Sequence, residues 1–156
     1  MKLLFKQRLF SWFDSYDIYD ENENTIFVVK GELAWGHRLR VFDANGNELG
    51  VLSQKVLSWM PKFEVYINGG FVGLVRREFT LFRPTYRMEY KGWQVEGDVF
   101  EWDYDILSQD GAKVAHISKK LFNWADTYLL DIVNPEDALS VLMLVIAIDA
   151  EKCSRD

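Results

Sequence analysis

The chain has 156 residues, is 49% hydrophobic and 15% aromatic, and carries a net charge of −6 with a pI of about 5.0. That length supports one substantial core, the composition excludes a disordered chain, and the charge is wrong for phosphate backbones or anionic lipid except through a local basic patch. Cys153 is the single cysteine, which excludes an internal disulfide framework and fits a reducing compartment. The apolar run within Met1-Lys2-Leu3-Leu4-Phe5-Lys6-Gln7-Arg8 is too short for a signal peptide, so a cytoplasmic protein is the expectation.

In chain order, a first strand is expected to start near residue 4, followed by a corner at Trp12-Phe13-Asp14-Ser15-Tyr16. This aromatic–x–(Asp or Pro)–x–aromatic pattern recurs at Trp59-Met60-Pro61-Lys62-Phe63, Phe82-Arg83-Pro84-Thr85-Tyr86 and Trp124-Ala125-Asp126-Thr127-Tyr128. Each copy follows apolar residues: Leu9-Phe10, Val56-Leu57, Phe79 with Leu81, and Leu121-Phe122. Proline cannot donate to a ladder and aspartate favours turns, so either can end one strand and start the next. The flanking aromatics are then expected to cover the corner.

Further strands are expected near residues 15, 25, 38, 48, 62, 71, 84, 93, 101, 113 and 126, about twelve in all at roughly five or six residues each. Hairpin turns are marked by Asp43-Ala44-Asn45-Gly46-Asn47, Asn68-Gly69-Gly70, Tyr90-Lys91-Gly92 and Gln109-Asp110-Gly111, where Gly and Asn supply positive φ. Apolar residues alternate between the turns, as a pleated strand requires. Alternation breaks near Val99-Phe100, where a bulge is expected. Residues 41–59 also align with residues 106–124, and Val29-Lys30-Gly31-Glu32-Leu33 aligns with Val95-Glu96-Gly97-Asp98-Val99 after a one-residue slip. The chain is therefore built on a repeat.

The last element is a helix. Asn134-Pro135-Glu136-Asp137 combines a capping side chain, a proline at the first helical position and two acids in the first turn. The segment Ala138-Leu139-Ser140-Val141-Leu142-Met143-Leu144-Val145-Ile146-Ala147-Ile148 is apolar on every face and needs burial all round. It falls short of the roughly 20 residues that span a bilayer, so a tail anchor is the weaker reading. A barrel of about twelve tilted strands has a radius of roughly 12 Å and leaves a channel about 14 Å across, enough for a helix about 10–12 Å wide. The Ser140 hydroxyl is expected to bond the carbonyl four residues back. The expected fold is thus α+β, mainly β: a single domain over residues 1–156, an antiparallel barrel of about twelve strands around a central helix at about 135–151.

The segments Trp93-Gln94-Val95-Glu96-Gly97-Asp98, Ala115-His116-Ile117-Ser118-Lys119-Lys120 and Tyr128-Leu129-Leu130-Asp131-Ile132, followed by the helix ending Val145-Ile146-Ala147-Ile148-Asp149, resemble the LOR family and its bacterial members. The resemblance spans nearly the whole chain. It implies the Tubby-like and scramblase-like fold, a twelve-stranded barrel around a central helix, and it brings no catalytic motif and no assigned activity. The chain lacks the proline-rich N-terminus and cysteine cluster of scramblases.

Candidate sites are few. Arg76, Arg77, Arg83, Arg87 and Lys91 form a net positive stretch in an acidic chain, a candidate surface for lipid headgroups or an acidic partner. The plainer reading is ordinary surface charge and edge protection. Glu101, Asp103 and Asp105 alternate, so a strand would put three carboxylates on one face, where a hard cation could bind. The plainer reading is a solvated face opposite Trp102, Tyr104 and Ile106. His37 and His116 have no ligand or triad spacing.

The leading expectation is a non-enzymatic cytoplasmic interaction domain that binds a protein partner, an anionic membrane surface, or both. No cofactor, nucleic acid or transmembrane segment is expected. The alternative is a small hydrolase-like enzyme at a barrel mouth, using the three carboxylates with or without a metal.

Overall fold

A computed structural model describes residues 1–6, 15–34, 36–78, 85–122 and 125–153, with side chains described for all of these except 33–34, 121–122, 125–126 and 153. Three of the four corners, at residues 12–14, 82–84 and 124, fall wholly or partly outside these residues, as does Arg83.

Twelve strands alternate in direction: β1 (Lys2–Lys6), β2 (Ser15–Tyr19), β3 (Thr25–Ala34), β4 (Gly36–Asp43), β5 (Glu48–Gln54), β6 (Lys62–Ile67), β7 (Gly70–Glu78), β8 (Thr85–Met88), β9 (Trp93–Asp98), β10 (Asp103–Leu107), β11 (Lys113–Phe122) and β12 (Ala125–Ile132). Each pairs antiparallel with its sequence neighbours, and β1 closes the barrel against β12 through the register Lys2↔Asp131 to Lys6↔Thr127. Among the described residues, the opposite side of β1 is held by the single pair Leu4↔Tyr19 with β2. The described residues of the four sequence motifs lead into or begin β2, β6, β8 and β12, at one end of the barrel.

Alternate strand residues point inward, among them Leu3, Phe5, Val29, Val41, Leu52, Val65, Met88, Ile106, Ile117 and Leu130, all at most 5% exposed. They close on α1 (Ala138–Cys153), which runs through the barrel and buries Val141, Leu142, Met143, Leu144, Val145, Ile146, Ala147 and Ile148 on every face. A one-turn 3-10 helix, Pro135–Asp137, leads into it; the Asn134 side chain caps that turn by accepting from the Glu136 backbone amide at 3.1 Å. Gly50 allows close approach of helix and wall, since a Cβ there would lie 2.7 Å from Met143 Sδ. The Ser140 hydroxyl does not bond back along the helix as expected: it meets the Tyr90 hydroxyl at 2.8 Å, because Tyr90 reaches in from the β8–β9 turn.

The sequence repeat is a structural one. Gly31 faces Leu39 across β3–β4, and Gly97 faces Tyr104 across β9–β10. Leu39 and Tyr104 therefore occupy equivalent buried positions, each opposite a glycine. At Gly97 (φ +125°) a Cβ would meet the Asp103 carbonyl oxygen and Tyr104 Cα at 2.8 Å, which explains the small residue there.

Three hairpins share one turn. In 20–24, 43–47 and 108–112 the first residue's amide donates to the carbonyl of the fifth, and the fourth residue's amide donates to the carbonyl of the first. The fourth position is left-handed in each: Glu23 (φ 63°), Gly46 (φ 86°) and Gly111 (φ 86°). This is the three-residue hairpin with a bulge, and the registers of β2–β3, β4–β5 and β10–β11 shift beside it. The turn at 20–24 was not singled out from the sequence, because Glu stands where glycine marks the others. Asn68 (φ 49°) and Gly69 (φ 81°) make the two-residue turn expected of Asn-Gly.

The break in alternation near Val99-Phe100 is not a bulge within a strand. It is the hairpin turn Val99-Phe100-Glu101-Trp102 between β9 and β10, with Trp102 at φ 56°. Asp98 caps it by accepting from the Phe100 and Glu101 amides, each at 3.1 Å, so the faces swap across a turn.

Candidate interaction surface

The five basic candidates do not form one patch. Arg76 and Arg87 are partners across β7–β8 and both point outward. Lys62 of β6 pairs with Arg76 and extends the row. That residue was missed in the sequence because it lies on a different strand, and only the register brings it close. The row is partly neutralised by its own neighbours: Arg76 Nη2 is 2.7 Å from Glu89 Oε1, and Arg87 Nε is 2.8 Å from Glu78 Oε1. Such exposed pairs contribute little to stability and can exchange for other anions.

Arg77 faces the other way. It is one residue along from Arg76 in a pleated strand, so its side chain turns toward the barrel end and stops 3.5 Å from Glu151 Oε1 on α1. The Tyr86 hydroxyl donates to Glu151 Oε2, and burial together with that carboxylate pushes the phenol well above its ordinary value. Glu151 is 2% exposed, so Arg77 and Tyr86 hold a charge inside the fold. Lys91 lies at the opposite barrel end, its amine 3.9 Å from Asp137 and above the Trp93 ring. Arg83 is outside the described residues.

The acidic trio is also divided. Glu101 sits in the β9–β10 turn, while Asp103 and Asp105 lie on the outer face of β10. Asp105 Oδ1 is 2.7 Å from His116 Nδ1, and Lys113 Nζ is 3.3 Å from Asp105 Oδ2. Partial burial pushes the Asp105 carboxyl up, but His116 and Lys113 outweigh it and hold it below its ordinary value. His116 Nε2 is 3.5 Å from Asp103 Oδ1. This is a cross-strand ion-pair cluster, and among the described residues no group of His, Cys, Asp and Glu is arranged to hold a metal ion.

Around the C-terminal end of α1 the packing is aromatic and polar together. Trp102 stacks on Tyr128 at 3.8 Å between ring centroids, and Phe5 leans on both. Lys152 Nζ donates to the Val99 carbonyl at 2.9 Å and lies 4.6 Å from the Trp102 ring centroid. Burial pushes the Asp149 carboxyl up to about 6, with Lys152 pulling the other way. The Tyr104 hydroxyl is fully buried and has no hydrogen-bond partner among the described residues.

Two surface features complete the picture. A groove of about 520 Å³ runs along the β1–β2 seam, bordered by Leu4, Lys6, Tyr19 and Glu21. At the one fully described corner the expected aromatic cover is half present: Phe63 is buried, but Trp59 is 96% exposed. The reason is local. Phe63 lies on an inward position of β6, whereas Trp59 belongs to the loop before that strand.

The fold and this surface define a closed antiparallel barrel plugged by its own C-terminal helix, with the basic row and the exposed Trp59 on its outside. The chain belongs to the LURP-one-related (LOR) family, whose sequence profile matches residues 1–149. It is 30% identical over 150 residues to the "Uncharacterized protein YxjI" of Bacillus subtilis (strain 168), covering 96% of this chain and 92% of that one. The crystal structure of the Arabidopsis thaliana protein AT5G01750 is similar in fold, with a TM-score of 0.64 at 16% identity, over 95% of this chain and 90% of that one. Among the described residues no helix is long and apolar enough to cross a membrane.

Proposed function

We propose that this chain is a non-enzymatic, cytoplasmic Tubby-like interaction domain that binds a protein partner, an anionic membrane surface, or both, on the outside of its barrel. The observation that supports this most is the filled interior. Barrels that act on or carry small molecules do so in an internal chamber or a mouth opening onto one. Here the centre is packed side chain, with every residue of α1 from Val141 to Ile148 at most 1% exposed. The outward row Lys62, Arg76 and Arg87 is the basic feature that an acidic partner or headgroup would meet.

The test is affinity capture of the tagged protein from its native host, with bound protein and bound lipid read out together. Wild type is expected to retain a specific partner, and Arg76→Gln with Arg87→Gln is expected to weaken retention of an acidic one several-fold. Retention of neither protein nor lipid above a tag-only control would count against the reading. So would metal-dependent hydrolysis abolished by Asp105→Asn.

A further inference from the structure

The loop between β5 and β6 carries chemistry that the basic row does not use. It reads Lys55-Val56-Leu57-Ser58-Trp59-Met60-Pro61-Lys62: an apolar centre, a lysine at each end and no carboxylate. Leu57 and Trp59 are 97% and 96% exposed, and Val56 is 53% exposed. Two large apolar side chains left in water on one short loop mark a surface meant to be covered. The stem of the loop is held: the Lys55 amide donates to the Lys62 carbonyl at 3.0 Å, and the Arg77 amide donates to the Pro61 carbonyl at 3.3 Å. The apolar side chains are therefore presented away from the barrel by an anchored base.

We propose that this loop is a membrane-docking tip. Leu57 and Trp59 enter the headgroup–acyl boundary of an anionic bilayer, and Lys55, Lys62 and Arg76 remain at headgroup level. Three observations select a bilayer over a protein groove. Tryptophan beside leucine, with an indole N–H to leave in the wet layer, suits the membrane interface. Flanking lysines reach headgroups with their amines while their stems lie against the apolar layer. The charge of the molecule is also polarised: Asp20, Glu21, Glu23, Asp43, Asp110 and Glu136 cluster at the opposite barrel end, so the field turns this end toward a negative surface. Lys55 now holds Glu64 at 2.6 Å and Arg76 holds Glu89, exposed pairs that headgroup phosphates can replace. Phe100, in the β9–β10 turn at the same barrel end, is flanked by Asp98 and Glu101 and stays outside the footprint.

This inference rests on the interaction-domain reading and names the surface it uses. The test is flotation of the full chain with phosphatidylcholine vesicles, with and without phosphatidylserine, at low and high salt. Wild type is expected to float with the phosphatidylserine vesicles and to release as salt rises. The variant Leu57→Ser with Trp59→Ser is expected to lose about tenfold or more in partitioning. Lys55→Gln with Lys62→Gln is expected to lose about fivefold to tenfold. All variants should melt with wild type, since the altered groups are at the surface. If either variant floats like wild type, the tip is overturned while membrane binding by the basic row survives. If wild type itself does not float at low salt, the tip is overturned and the protein-partner arm of the proposed function stands, to be decided by capture.

Discussion

The two ends of this barrel are built by different rules. At one end short hairpins close on themselves: Asp20 and Asp43 each accept from two amides and one Asn side chain within four residues, and Ser108 with Asp110 does similar work. Burial there is slight and the chemistry is local. At the other end the described connections carry Trp59, Phe100 and Trp102, and the C-terminus of α1 lies among them. Glu151 is held by Arg77 from 74 positions away (151 − 77) and by Tyr86 from 65. Lys152 reaches carbonyls 53 and 52 residues away. The difference teaches that turn residues suffice where water solvates the backbone, whereas a buried helix end needs partners gathered from distant strands.

The largest test of this contrast removes the helix. Truncation before Pro135 takes away seven large side chains that the barrel buries almost completely: Val141, Leu142, Met143, Leu144, Val145, Ile146 and Ile148. Their burial contributes roughly 10–20 kcal/mol as an upper estimate, as much as or more than a typical net stability of about 5–15 kcal/mol. The truncated chain is expected to be unfolded or aggregated by circular dichroism and size exclusion. A soluble product with a cooperative melt would refute the plug.

Next comes pH. Burial places the Asp149 carboxyl at about 6, against an ordinary 3.8. The folded state then binds its proton more tightly than the unfolded state. The stability from that group is fully present below about pH 4 and is lost as pH rises through about 6. Asp149→Asn, neutral at every pH, is expected to be more stable than wild type at pH 7–8, by no more than about 3 kcal/mol, and level with it near pH 4. Denaturant melts at the two pH values check this.

Two buried tyrosines at this end should respond differently to loss of the hydroxyl. Tyr86→Phe removes a hydrogen bond to the buried Glu151 and is expected to cost about 1.5–3 kcal/mol. Tyr104→Phe removes a hydroxyl that has no partner among the described residues, and the equivalent position in the other half is Leu39. It is expected to leave stability unchanged or raise it by about 1 kcal/mol. Destabilisation by both would show that Tyr104 is bonded in solution.

The smallest effect lies at the hairpin end. Glu23→Gly relieves a left-handed residue at the position where the sister turns carry Gly46 and Gly111, and is expected to stabilise by about 0.5–1 kcal/mol. Gly46→Ala should destabilise by a similar amount through φ alone, since nothing lies within 4 Å of its added Cβ. Thermal melts resolve both.

Much of the fold was legible in the chain because it was written locally. Alternation marked the strands, clusters bearing Gly and Asn marked the hairpins, and the Asn134-Pro135 start with an apolar surround marked a buried helix. Even the equivalence of the two halves could be read from residues 41–59 and 106–124. The candidate surface was legible only in part. Arg76 and Arg87 were found, but sequence proximity also swept in Arg77 and Lys91, which the pleat and the turn send elsewhere, and it gave no sign of Lys62.

Sequence by itself determined the architecture: an apolar-all-round helix has nowhere to go but inside a wall of alternating strands. Tertiary structure alone decided what each charge does. Which carboxylate an arginine meets, whether Trp59 covers a corner or stands in water, and which tyrosine bonds Glu151 all depend on strand register and helix placement. Those are set by contacts between residues far apart in the chain, and no local pattern encodes them.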